Sequence, residues 1–234
     1  MFKPAGTLLF VLFTWHVFGQ IKITDAEIMF QSRHIWRGSK LGAAPAIEPS
    51  ITFSANRLSF NLWAAATPDN SYSEIDLVPS FQFNHFQATL FDYYNPVAGE
   101  ENQFLKFGKD KNRHSIELAF DNFSIEKRRL KWMIGTFLLG DQNQETGKQY
   151  YSTYIEFRYP IAFLKIKVEP FAGMTPFSGY YADRFAIINT GIGINKSFKL
   201  SSRLSIPINM LLISNPYQNN YFLIFSSGIV ISGR

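Results

Sequence analysis

Apolar and polar residues alternate one by one along most of this chain. Between Tyr72 and Phe83, Ile75, Leu77, Pro79, Phe81 and Phe83 fall on one face, while Glu74, Asp76, Val78, Ser80 and Gln82 fall on the other. Period two predicts a strand with one greasy and one charged side. Asn84 and His85 make a minimal turn, and the chain returns from Phe86 to Asp92, completing a hairpin.

The same pattern recurs from end to end. Strands are expected at Glu27–Trp36, Ile47–Ser54, Leu58–Ala64, Ser115–Phe120, Leu130–Leu138, Tyr151–Arg158, Leu164–Glu169, Ile188–Asn195, Arg203–Met210 and Tyr221–Ser232. In the sixth to eighth of these the greasy face is carried by Ile155 and Phe157, then by Leu164, Ile166 and Val168, and then by Ile188, Ile192 and Ile194. Connections alternate in length. Those after Trp36, Ala66, Pro96, Leu139, Met174 and Ser214 are long; those at Asn56, Asn84, Pro160 and Lys196 are short, with Asn122–Arg128 intermediate.

Every one of these strands needs a partner for its apolar side, and a bilayer supplies it for all of them at once. The expected fold is therefore all-β: an antiparallel up-and-down transmembrane β-barrel of about 12 strands, the even count and alternating loop lengths of a bacterial outer-membrane barrel. Long connections then lie outside, with short turns and both termini on the periplasmic side. The alternative is a secreted soluble β-sandwich, in which the greasy faces are buried against each other.

Composition agrees with strands rather than helices in the membrane. Hydrophobic residues make up 46% of the chain, with 24 Phe and 11 Tyr, yet mean hydropathy is only -0.06, because alternation dilutes it. Residues 1–19, with Lys3 ahead of an apolar run and Gly19 at its end, read as a signal peptide, leaving 20–234 as the barrel domain. Without cysteine there is neither a disulfide framework nor a thiolate metal site. The net charge of +5 is dispersed and accompanied by no nucleic-acid motif. Outer-membrane lipid, lipopolysaccharide above all, is the expected polyanionic partner, together with protein partners in an envelope complex; no nucleic acid and no cofactor is expected.

Five segments carry a resemblance: HIWRG at His34–Gly38, PAIEPSITFS at Pro45–Ser54, SEIDL at Ser73–Leu77, DYYNP at Asp92–Pro96 and FAGMTP at Phe171–Pro176. They resemble motifs of the conserved-hypothetical bacterial barrel proteins of the Gcw_chp kind. The resemblance implies an exported outer-membrane protein and implies no particular activity.

With greasy faces toward lipid, the opposite faces line a lumen. Glu48, Glu74, Asp76 and Glu117 are expected near its outer end, and Arg129, Lys131, Arg158, Lys165, Lys167 and Arg203 near its periplasmic end, with Glu156 and Glu169 beside the basic group. Such a lumen is either a narrow passage for small solutes or ions that selects by charge, or a plug of ion pairs. An acidic mouth also offers oxygen ligands to calcium. Trp36, Tyr93, Tyr94, Tyr150, Tyr151 and Tyr221 are expected in an outer aromatic girdle, and Tyr159, Phe83, Phe86 and Phe163 in an inner one. A lipid-modifying enzyme of the outer leaflet would need His34 or His114 to activate a serine, with Ser32 and Ser115 near them in sequence. No nucleophile elbow is present, His85 lies in an inner turn, and no catalytic residue is expected.

Overall fold

The computed structural model describes residues 20–106, 113–125, 127–143 and 145–233; the expected leader lies outside them. Strands are β1 Lys22–Gln31, β2 Ile35–Trp36, β3 Ser39–Lys40, β4 Ala46–Ala55, β5 Leu58–Ala66, β6 Ser73–Gln82, β7 Gln87–Tyr94 and β8 His114–Asp121. They continue as β9 Lys131–Leu139, β10 Thr153–Arg158, β11 Ile161–Phe163, β12 Ile166–Thr175, β13 Ala186–Lys199, β14 Leu204–Asn215 and β15 Asn220–Ser232. All but β2 and β3 belong to a single sheet in which each strand pairs antiparallel with its neighbours in sequence. Pairings β1–β15 and β10–β12 close it into a barrel. Because β10 and β11 are two halves of one wall strand, the wall has twelve strands.

Side chains sort by the expected parity. Ile28, Phe81, Ile134, Phe157, Ile192 and Phe225 stand on the exterior, whereas Glu48, Glu74, Glu117 and Glu156 are buried inside. No second sheet covers the apolar exterior among the described residues, so the soluble sandwich is excluded. A closed sheet leaves no unpaired edge and turns its apolar faces outward, which hydrocarbon tolerates and water does not. The chain is a β-barrel of the bacterial outer membrane.

Four expectations are corrected. Pro160 is not a turn: it interrupts a wall strand, where its missing N–H removes one ladder bond, while the Tyr159 amide still donates to the Pro170 carbonyl at 3.0 Å. The turn comes at Leu164 and Lys165, both left-handed with φ of 46° and 65°, between the paired Phe163 and Ile166. A bulge between β12 and β13, at the step from Gly173 to Met174, flips Ile188 into the barrel, where it is 1% exposed, and puts Ile187 outside in its place. β13 continues past Lys196 to Lys199 before turning. Finally, the first wall strand ends at Gln31, and Ile35–Trp36 leaves the wall altogether to pair with Ser39–Lys40.

Candidate functional site

The β2–β3 hairpin owes its shape to Arg37 and Gly38. Both have positive φ, 48° and 79°, the pairing that a two-residue turn requires, with glycine carrying the more demanding position. The hairpin folds back into the barrel rather than out into solvent. Gly38 meets the opposite wall so closely that a Cβ there would stand 2.0 Å from the Ile188 carbonyl oxygen, and Asn215 donates to the Gly38 carbonyl at 3.3 Å. At the hairpin's base, His34 Nδ1 lies 2.7 Å from Glu48 Oε1 and its ring stacks on Tyr72.

At the hairpin's tip Arg37 donates through two nitrogens to the two oxygens of Glu117, at 2.7 and 2.8 Å. Tyr93 donates to the same carboxylate at 2.7 Å, and Tyr181 bonds the guanidinium. The guanidinium also lies over the rings of Trp36 and Tyr154, 4.5 and 4.4 Å from their centroids. The Glu117 carboxylate and the Tyr181 hydroxyl oxygen compensate the withdrawal of the guanidinium charge from water. Gly135 makes room for this contact, because a Cβ there would lie 2.3 Å from Glu117 Oε1. Trp36, Tyr93, Phe137, Tyr154, Tyr181 and Ile188 pack around it as the barrel's internal core.

Below the hairpin a second network runs along the wall. Arg158 donates to Glu156 at 2.5 Å and to Glu169 at 3.3 Å, and Lys167 bonds Glu169 at 2.7 Å. Asn189 donates to Tyr154 and Glu156 at 2.8 and 3.0 Å. Two cavities flank the hairpin. One of about 390 Å³ lies on the side of Arg158, Glu169 and Phe171; one of about 490 Å³ opens among the long loops, bordered by Tyr72, Val97 and Asp141. Trp36, Glu74 and Tyr93 border both.

Of the expected acidic residues, Glu48, Glu74, Asp76 and Glu117 all have the inward parity of their strands and are buried. The expected basic group is dispersed. Arg158 and Lys167 face the lumen in ion pairs. Lys131 is buried against the Phe123 and Ile125 carbonyls. Arg129, Lys165 and Arg203 are exposed at the short-turn end, because strand alternation stops where the chain turns. Among the aromatics, Tyr150, Tyr151, Tyr159 and Tyr221 are exposed, as an interfacial position requires. Trp36 and Tyr93 instead lie inside the barrel, since Trp36 belongs to the inserted hairpin and Tyr93 has the inward parity of β7. Tyr94 is covered by a long loop through Phe104 and Asn102.

Both candidate histidines bond carboxylates. His34 bonds Glu48, and the two ring nitrogens of His114 lie 2.7 Å from Asp92 and 2.8 Å from the Phe104 carbonyl. No group of three or more His, Asp or Glu suited to a metal ion occurs among the described residues. The sequence marks this hairpin only weakly: Gly38, between Ile35–Trp36 and Ser39–Lys40, is its one turn-forming residue.

No protein-family model and no curated protein sequence matches the chain. Solved outer-membrane proteins align with it at low identity. A KdgM porin in complex with disordered oligogalacturonate aligns with a TM-score of 0.49 at 9% identity, over 90% of this chain and 98% of that one. An outer membrane channel from Pseudomonas putida F1 aligns at 0.39 and 14% identity, over 90% and 94%. The outer membrane protein opdK from Pseudomonas aeruginosa aligns at 0.33 and 10%, over 90% and 60%.

Proposed function

We propose that the protein is a narrow outer-membrane channel for small solutes or ions, with its bore set by the β2–β3 hairpin. One observation carries this reading: the cavities on the two sides of the hairpin meet at the same three residues, Trp36, Glu74 and Tyr93. A path along that seam passes between the hairpin and the β6–β7 wall. Buried carboxylates outnumber cations along it, which favours cationic over anionic permeants. The long loops face outward, and their exposed Lys40, Lys148 and Arg184 are suited to lipopolysaccharide phosphates.

A sealed barrel serving as the membrane component of an envelope complex is the second reading, favoured by the doubly bonded Arg37–Glu117 clamp. The resemblance to Gcw_chp-type proteins fits either. Four of its five segments meet at the hairpin: HIWRG forms it, and the others contribute Glu48, Glu74, Asp76 and Tyr93 around it. Single-channel recording of the purified protein in planar bilayers separates the two. Stable unitary conductance with cation preference supports the channel, and a silent bilayer overturns it.

A further inference from the structure

Asp76 stands out among the charges of the lumen. It is 8% exposed, it borders the cavity of about 390 Å³, and its Oδ1 has no hydrogen-bond partner among the described residues. Neither it nor Glu74 belongs to an ion pair there. Among the described residues the buried and lumen-facing cations have partners elsewhere: Arg37 on Glu117, Arg158 on Glu156 and Glu169, Lys167 on Glu169, and Lys131 on the Phe123 and Ile125 carbonyls. The ring of His34 is held by Glu48, and Glu74 accepts hydrogen bonds from uncharged groups, the hydroxyl of Tyr72 and the side chain of Asn95. A carboxylate withdrawn from water without a counter-charge is costly, and the deficit is removed when a cation arrives.

The surroundings define the kind of cation. In the strand register Asp76 is opposed by Trp63 on one side and Tyr93 on the other, and Trp36 and Phe91 border the same cavity. Glu74 lies two residues along the same face, about 7 Å away by strand geometry. Two carboxylates without a third metal-type donor make a poor metal site. An ammonium head between them, with its alkyl part against aromatic faces, satisfies both the charge and the apolar walls. The cavity's volume lies in the range that accepts small ligands.

The geometry points to a binding site for a small organic cation of the alkylammonium class on Asp76 and Glu74. It rests on the channel reading only for the ligand's route of entry. Titration calorimetry of the detergent-purified full chain with n-butylammonium chloride tests it, with n-butanol and sodium butyrate as probes of shape without the charge and of the opposite charge. Saturable binding of butylammonium alone is expected, weakened about tenfold by Asp76→Asn, the factor for losing one charge-assisted hydrogen bond. Glu74→Gln is expected to weaken it as well, and carries the comparison if Asp76→Asn does not fold.

Absence of butylammonium binding, equal binding of butanol, or undiminished affinity in the folded variants overturns the site. A protein that conducts ions yet fails this titration loses the site and keeps the channel. One that binds butylammonium yet never conducts loses the channel and keeps the site.

Discussion

Arg37 and Glu117, 80 residues apart in sequence, meet as a two-pronged ion pair inside the barrel. Their side chains are 7% and 0% exposed, so neither can turn to water without moving the hairpin. Removing one partner of a buried pair costs on the order of 3–5 kcal/mol. In Glu117→Gln that cost falls on the docked state of the hairpin, and its release is the cheaper outcome. Unit conductance in planar bilayers should rise relative to the parent; an unchanged value would show that the hairpin does not limit the bore.

Glycines 38 and 99 offer a controlled comparison. Both are left-handed, with φ of 79° and 82°, but a Cβ at Gly99 meets nothing within 4 Å, whereas at Gly38 it strikes the Ile188 carbonyl. Gly99→Ala should cost only the roughly 1–2 kcal/mol of left-handed strain. Gly38→Ala adds a backbone clash and should undock the hairpin. Trypsin, which cuts after arginine, should then cleave at Arg37 in the Gly38 variant and spare it in the Gly99 variant.

Phe225, near the middle of β15, faces outward at 53% exposure. Its neighbour Ser226 faces inward opposite Asn209. Phe225→Lys places a charge in hydrocarbon and should cost roughly 2–4 kcal/mol, whereas Asn209→Lys in the lumen should cost far less. Urea-driven unfolding from lipid vesicles measures both, and equal costs would contradict the inside-out arrangement.

Asp69, in the loop after β5, accepts hydrogen bonds from the Ser71 hydroxyl at 2.7 Å and its amide at 3.1 Å. The hydroxyl is the larger influence, and together they hold the carboxyl below its ordinary range. A depressed carboxylate pKa means that the loop's stabilisation is complete above the unfolded value and is lost as pH falls through the lower, folded one. Ser71→Ala should raise the Asp69 midpoint in an NMR titration; no movement would remove the Ser71 hydroxyl as the cause.

The repeated alternation from Ile47 to Ile231 was enough to place nearly every wall strand and to name the buried carboxylates Glu48, Glu74, Asp76 and Glu117. That legibility has a physical origin. Side-chain direction along a strand repeats every two residues, so one face must be apolar wherever lipid covers it. The same rule explains the misses. Alternation carries no information where it breaks, at the Ile188 bulge, at Pro160, and past the strand ends that carry Arg129, Lys165 and Arg203.

What the sequence determined by itself is the wall: strand count, in and out, and the class of solvent on each side, all consequences of local periodicity. What only the tertiary structure decided is the interior. Whether the segment around Arg37 hangs outside or enters the lumen depends on contacts with Glu117, Ile188 and Asn215, which lie far along the chain. No local pattern encodes a contact whose two halves are brought together only when the barrel closes, so the hairpin, the seam beside it and the buried carboxylate of Asp76 become visible only in three dimensions.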